Sequence, residues 1–299
     1  MCGIVGLHLR DPALYPRLGE LLTGMLDQMC ERGPDSAGMA VYGDPHWSPA
    51  GAATVSLLDV AEPVTELADR VAAEIGVPVG GVDLAPTTVL TAATGAGELA
   101  AAARRAAPGA RLIGFGDDLT VLKGVGDPSA LARRFGLAAA AGHQGVAHTR
   151  MATESAVTAA GSHPFSVGPD QCLVHNGSFS NHMSIKHELE RAGVVFDSEN
   201  DTEVAARFLA RQLAEGADLE KALRLLAERF DGFYTLLVAH KESFAVVRDP
   251  IACKPAVIAE TGRWVAMASE YRALADLPGI DTAHIFEPVP EEVYVWHRQ

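Results

Sequence analysis

Met1-Cys2-Gly3-Ile4-Val5-Gly6 opens the chain, and what Cys2 is for decides how the rest reads. Initiator methionine is removed when the next side chain is small, which would leave Cys2 with a thiol and a free α-amine in one residue. An α-amine titrates at roughly 7.7–8 and a thiol at about 8.5. A neutral amine near neutral pH can therefore take the thiol proton, directly or through a water. The apolar run that follows reads as a short buried strand, with Gly3 and Gly6 letting other groups come close to its backbone. The competing reading makes Cys2 a small buried hydrophobe, the usual fate of a free cysteine. On the hexapeptide alone that is the simpler account.

Composition narrows the field. At 299 residues, 48% hydrophobic and 21% charged, the chain is globular and long enough for one or two domains. Lys+Arg number 24 against 38 Asp+Glu, a net charge of −14. That argues against a nucleic-acid or anionic membrane surface, and leaves a small polar substrate or a protein partner. Cys2, Cys30, Cys172 and Cys253 are far apart, with no CxxC pair and no zinc-type Cys/His spacing. No Gly-rich turn reads as a phosphate or dinucleotide site. There is no signal-peptide pattern and no run of about 18 apolar residues. The expectation is a cytoplasmic protein with reduced thiols.

Leu18, Leu21, Leu22, Met25, Leu26 and Met29 recur at helical spacing, and Arg32-Gly33-Pro34-Asp35 ends that helix. Gly38–Tyr42 reads as a strand. From about residue 53 to 126 the texture changes. Strands are expected at Val55–Val60, Thr87–Ala92, Arg111–Phe115 and Leu119–Lys123, and Ala-rich helices at Glu66–Ile75 and Glu98–Ala107. These make a small α/β subdomain set into the chain. A short helix near Pro128–Phe135 precedes strands at Gly145–His148 and Gln171–His175. Helices then follow at Met183–Ala192, Thr202–Ala214 and Leu219–Phe230, the second with Asp201 at its N-cap and Glu203 in its first turn. The C-terminal third is nearly all strand: Phe233–His240, Ser243–Arg248, Ala256–Glu260, Trp264–Ser269 and Val293–Trp296. Short turns between them imply antiparallel ladders, so two sheets with helices outside fit better than a doubly wound parallel sheet.

Further segments carry what amide hydrolysis at Cys2 would need. His175-Asn176-Gly177 ends a strand, and an Asn amide with the next backbone N–H can hold an oxyanion. Asn-Gly is also a common turn pair. Arg150, in His148-Thr149-Arg150-Met151-Ala152-Thr153-Glu154, can clamp a carboxylate with two parallel hydrogen bonds, or form an ordinary surface ion pair. Asp201 can bind an ammonium group or simply cap a helix. Arg32-Gly33-Pro34-Asp35-Ser36-Ala37-Gly38 reads as a rigid structural turn.

Taken in order, the motifs are an N-terminal Cys, Arg-Gly-Pro-Asp, His-Thr-Arg-x-Ala-Thr, His-Pro-Phe, His-Asn-Gly and Asp-Thr-Glu. Arg248-Asp249-Pro250 with Lys254-Pro255, and Ala268-Ser269-Glu270, come after them. This order strongly resembles the class II glutamine amidotransferases, members of the N-terminal nucleophile (Ntn) hydrolase superfamily. The likeness covers residues 1–50 and about 140–275.

The resemblance implies an α+β fold, a four-layer αββα sandwich of two antiparallel sheets. It implies one amidotransferase domain over 1–299 with an α/β insert at about 53–126. It also implies an enzyme that cleaves the glutamine side-chain amide through a cysteine thioester, giving glutamate and ammonia. By that resemblance Cys2 is the nucleophile and its α-amine the base, and Asn176 and Gly177 form the oxyanion hole. Arg150 and Thr153 hold the glutamine α-carboxylate and Asp201 its α-amine, while His148 and His175 support the site without acting as acid or base. The chain departs from the family at Met151, where many members carry Trp, and at Glu154, where His is frequent. It departs again at Phe165, which replaces the second His of a His-Pro-His.

No sugar isomerase, phosphoribosyl-binding or nucleotide pyrophosphatase signature accompanies these motifs. The ammonia acceptor is expected on another polypeptide. The chain looks most like the stand-alone amidotransferase component of glutamate-synthase-like systems, such as that of N-methylglutamate synthase. That implies no cofactor on this chain, FMN and iron–sulfur clusters on partner subunits, and a hetero-oligomer. The alternative is a non-catalytic subunit that keeps the fold for assembly or glutamine sensing.

Overall fold

In β1 (Gly3–Leu9) every residue is buried, and alternate side chains enter different cores: Ile4 one, and Val5, Leu7 and Leu9 the other. Burial on both faces is what a strand in the middle of a sandwich requires. The computed structural model describes residues 2–151 and 157–298. After β1 come α1 (Leu18–Asp27), β2 (Ser36–Tyr42) and β3 (Ala53–Leu58). Next are α2 (Val64–Ile75), β4 (Val79–Leu84), β5 (Thr87–Ala92), α3 (Ala96–Ala106) and β6 (Arg111–Gly116). Then follow β7 (Leu119–Val125), α4 (Pro128–Phe135), β8 (Gln144–Arg150), β9 (Gln171–Phe179) and α5 (His182–Arg191). The chain continues through α6 (Asp201–Ala214), α7 (Leu219–Arg229), β10 (Gly232–His240) and β11 (Ser243–Arg248). It ends with β12 (Val257–Glu260), β13 (Trp264–Ala268), β14 (His284–Phe286) and β15 (Val293–His297).

Seven strands form one sheet in the order β14-β12-β13-β1-β8-β2-β7, and four form a second, β15-β11-β10-β9. All pairings in both are antiparallel. Ile4, Val146 and Met267 of the first sheet meet Val174, Leu237 and Phe244 of the second in the central core. Leu22, Met25 and Leu26 of α1 cover the outer face of the first sheet, joined by Leu131 and Phe135 of α4. Leu189, Leu209 and Leu223 of α5, α6 and α7 cover the outer face of the second. This is the αββα sandwich that the resemblance implied. The second sheet packs tightly on Gly6, where a Cβ would lie 2.5 Å from Leu237 Cδ2 and 2.9 Å from Phe244.

The α/β insert is a separate four-stranded sheet, β4-β5-β3-β6, with α2 and α3 packed on Val55, Leu57 and Leu90. It is confined to residues 53–116 and does not run to about 126. Leu119–Val125 instead pairs along its length with β2, because Val121 and Leu122 are buried on opposite faces of the main sheet. The other face of the insert, which carries Ser56 and Thr87 beside the buried Leu58, Val89 and Ile113, closes the edge of that sheet. Val121 N donates to Ser56 Oγ (3.0 Å) and Lys123 N to Thr87 Oγ1 (3.3 Å), so edge N–H groups find partners. Strand β4 escaped the sequence reading, since Gly80-Gly81 and Asp83 hide any apolar alternation. Among the described residues no helix is long and apolar enough to cross a membrane.

Two glycines should respond oppositely to alanine. Gly6→Ala overpacks the central core and should destabilise by about 1–3 kcal/mol. Gly24, exposed in α1 with nothing within 4 Å of its would-be Cβ, should gain about 0.5–1 kcal/mol from helix propensity. Urea midpoints of the two variants against the parent measure both signs.

Candidate active site

Cys2 is carried by the central strand of the larger sheet and emerges at its end. Two side-chain bonds pin the strand just behind it. Gly3 N donates to Thr149 Oγ1 (3.1 Å) and Ile4 N to Ser269 Oγ (2.9 Å), while Ser269 N donates to Ile4 O (2.9 Å). Thr149 Oγ1 in turn donates to Met29 O (3.1 Å), which ties the strand to the end of the first helix. The half-buried Cys2 places its Sγ 4.0 Å from Met151 O. Its carbonyl accepts from Arg32 Nε (3.0 Å) and Asn176 Nδ2 (3.3 Å).

Arg32 is therefore more than part of a rigid turn: it reaches the residue that the sequence singled out. Glu270 holds the Arg32 guanidinium and also accepts from Arg272 Nε at 2.8 Å. The Arg32 hydrogen bond keeps the Glu270 carboxyl below the usual carboxylate range. The motifs that hold Arg32 and Glu270 do not reveal this pairing, because they lie far apart in sequence and meet only through the sheet. Among the other thiols, burial pushes Cys172 far above its ordinary value and Cys30 upward.

Asn176 and Gly177 sit near the end of β9, paired with Thr235 and Tyr234 of β10. Gly177 has φ +145°, and a Cβ there would come 2.0 Å from Phe233 O, so only glycine fits. The Arg-Asp-Pro segment supports this corner. Asp249 accepts from Tyr234 N (2.7 Å), Ile251 N (2.8 Å) and Ala252 N (3.2 Å). Arg248 Nη2 donates to Lys254 O (2.9 Å), and Lys254 Nζ lies 5.1 Å from the Phe233 ring centroid.

Arg150 ends β8 and is buried, its carbonyl accepting from Asp35 N at 3.2 Å. A Cβ on Gly161 would lie 3.5 Å from Arg150 Nη1, and Gly161 O accepts from Asn200 Nδ2 at 3.5 Å. The guanidinium thus lies beside the start of α6. There the N-cap is Asn200, whose Oδ1 accepts from Thr202 N (2.9 Å), and not Asp201 as the sequence suggested. With capping done by its neighbour, Asp201 turns Oδ2 to Phe179 N (2.9 Å) and stays partly exposed. Cys2 and Asn176 are brought into direct contact, with Gly177 next in the chain, and Arg150 and Asp201 flank one helix terminus. Thr153 lies outside the described residues.

Behind these groups lies a buried histidine cluster. His148 Nε2 is 2.9 Å from His163 Nδ1 and 3.2 Å from His175 O, and Thr202 Oγ1 is 2.9 Å from both His163 Nε2 and His175 Nδ1. Burial lowers every one of these rings, His148 to about 3. His8 and His143, buried elsewhere, are lowered to about 4 for the same reason. Neutral imidazoles are stabilised by the fold, whereas the unfolded chain binds protons near pH 6.5. Stability is therefore full above about pH 6.5 and falls as pH drops towards about 4, by up to about 1.4 kcal/mol per pH unit for each such ring. Urea midpoints measured from pH 7.5 to 4.5, chosen as about that range, should fall steadily. A flat profile would contradict neutral burial.

A family model for the glutamine amidotransferase domain matches residues 148–276. The glutamine amidotransferase-like protein GlxB of Rhizobium meliloti (strain 1021) is 50% identical over 302 residues, covering 100% of this chain and 99% of that protein. A putative glutamine amidotransferase of Methanothermobacter thermautotrophicus is 31% identical, covering 99% of each. Among solved structures, the B. subtilis glutamine phosphoribosylpyrophosphate amidotransferase complexed with ADP and GMP superposes with a TM-score of 0.63 at 18% identity. That likeness speaks for the fold alone; it takes in 99% of this chain, which spans about half (47%) of the larger protein. With relatives this similar matched end to end, the chain belongs to the glutamine amidotransferase family.

Proposed function

We propose that this chain hydrolyses the side-chain amide of glutamine with Cys2 as nucleophile. The observation that carries the reading is convergence. The central strand delivers residue 2 to a point where Asn176 and Arg32 both bond its carbonyl, with the Gly177 backbone next in line. Once Met1 is removed, the Cys2 α-amine takes the thiol proton. The sulfur adds to the amide carbon, and the oxyanion is held by Asn176 Nδ2–H and the Gly177 N–H. Collapse breaks the C–N bond as the amine returns the proton, releasing ammonia and leaving a thioester. Water then adds to the thioester carbon, glutamate departs and the thiol is restored. Arg150, with Thr153, takes the α-carboxylate as a bidentate partner, and Asp201 takes the α-ammonium.

The acceptor for the ammonia, in this proposal, is a separate cytoplasmic glutamate-synthase-like protein. N-methylglutamate synthase is one such system, with FMN and iron–sulfur clusters on the partner. The order of motifs shared with stand-alone amidotransferase components supports this assignment.

A glutamine-like diazo ketone should label Cys2, and Cys2→Ala should abolish ammonia release. Asn176→Ala should lower kcat by about 10²–10³-fold. Labelling at the exposed Cys253 instead would overturn the assignment. An intact mass that includes Met1 in the native protein would favour the non-catalytic alternative, since a blocked amine cannot serve as the base. Affinity capture from the native source should bring down an FMN-containing protein, and recovery of the chain alone would remove the partner proposal.

A further inference from the structure

The buried cluster behind Asp201 has a direction, and it can be worked out from hydrogen-bonding capacity. His148 Nε2 faces His175 O at 3.2 Å. A carbonyl only accepts, so this ring nitrogen carries the proton. The same N–H points at His163 Nδ1, 2.9 Å away, which must then be a bare acceptor. A neutral His163 consequently carries its proton on Nε2 and donates to Thr202 Oγ1, 2.9 Å away. The Thr202 hydroxyl has one hydrogen and two lone pairs. It lies 2.9 Å from His175 Nδ1 and 3.3 Å from Asp201 Oδ1.

Two assignments remain for that hydroxyl. If it donated to His175, the ring proton would sit on His175 Nε2, which is buried and finds no partner among the described residues. An orphaned buried N–H is among the costlier defects in a folded protein. If His175 Nδ1–H donates to Thr202 and Thr202 donates to Asp201, the hydroxyl is saturated. The two ring atoms left without partners among the described residues, His148 Nδ1 and His175 Nε2, are then both acceptors. Every buried N–H and O–H of the cluster is used, and all of them run towards the carboxylate.

From this we infer that His163 and Thr202 are positioning residues: the chain His148–His163–Thr202 donates into Asp201 Oδ1 and fixes the carboxylate that reads the α-ammonium of the substrate. The inference rests on the glutaminase reading for its substrate, but its hydrogen-bond direction stands on the structure. With Oδ2 held by Phe179 N at 2.9 Å, both oxygens are fixed, and their remaining lone pairs are aimed before substrate arrives. Pre-set polar geometry of this kind lowers the ordering cost of binding.

Two measurements test it. In ¹⁵N-histidine NMR of the wild-type protein at neutral pH, His148 and His163 should be Nε2–H tautomers and His175 Nδ1–H. A His163 Nδ1–H tautomer would reverse the chain and overturn the proposal. Kinetically, Thr202→Val should lower the ratio of kcat/KM for L-glutamine over that for 4-carbamoylbutanoate, which lacks the α-amine, by roughly tenfold, the scale of one hydrogen bond to a charged group. Most of the change should lie in KM, and Thr202→Ser should restore the ratio. An unchanged ratio, with both substrates losing equally, would make Thr202 merely structural and sink the inference. A wild type with no glutaminase activity would instead remove the functional reading, while the ring tautomers still decide the direction.

Discussion

Everything at the candidate site depends on the backbone of β1 being immobile where it ends. Its position between β13 and β8 supplies ladder bonds on both sides, and Thr149 and Ser269 add side-chain bonds at Gly3 and Ile4. A terminal residue would ordinarily fray; here the chain is held as far as Gly3, the residue that follows the thiol. Gly6 contributes by subtraction, since the missing Cβ allows Leu237 and Phe244 to close on the strand from the second sheet. The two sheets thereby come close enough for Asn176, on one, to bond the carbonyl of Cys2, on the other.

The polar interior is organised around neutrality. Three imidazoles and a hydroxyl lie between the sheets and α6, each buried. Ionised, they would need water or counter-charge that the core does not offer. Neutral, they interlock as donors and acceptors, and the outward end of that network is a carboxylate at the mouth. The charged groups Arg32 and Glu270 lie on one side and Arg150 and Asp201 on the other, while the histidines and Thr202 that link inward from Asp201 are uncharged. Such a layout keeps desolvation costs low and geometry well defined.

Much of this was legible in the sequence wherever chemistry and local pattern coincide. Cys2 followed by an apolar run, and Asn176-Gly177 at the end of a strand, carry their meaning in adjacent residues. Helices with regular apolar spacing such as α1 and α7 were legible for the same reason. The remainder depends on long-range meetings. Arg32 reaches Cys2, and Thr202 links His163 to Asp201, only after the sheets have formed. The helix cap fell one residue early, on Asn200, because Asn and Asp are interchangeable as caps in a sequence pattern. Strands β4 and β14 stayed hidden since an edge strand, exposed on one side, need not alternate.

The pinning of β1 also bears on how the molecule is made. Its partners lie 146 and 265 residues further along the chain. At ordinary rates of synthesis the strand waits on the order of ten seconds or more for its second neighbour to leave the ribosome. Until then at least one edge of this apolar run stands without its partner, which invites wrong pairing and slows folding. A segment made early is among the last to be enclosed, so competence for chemistry and completion of the fold arrive together.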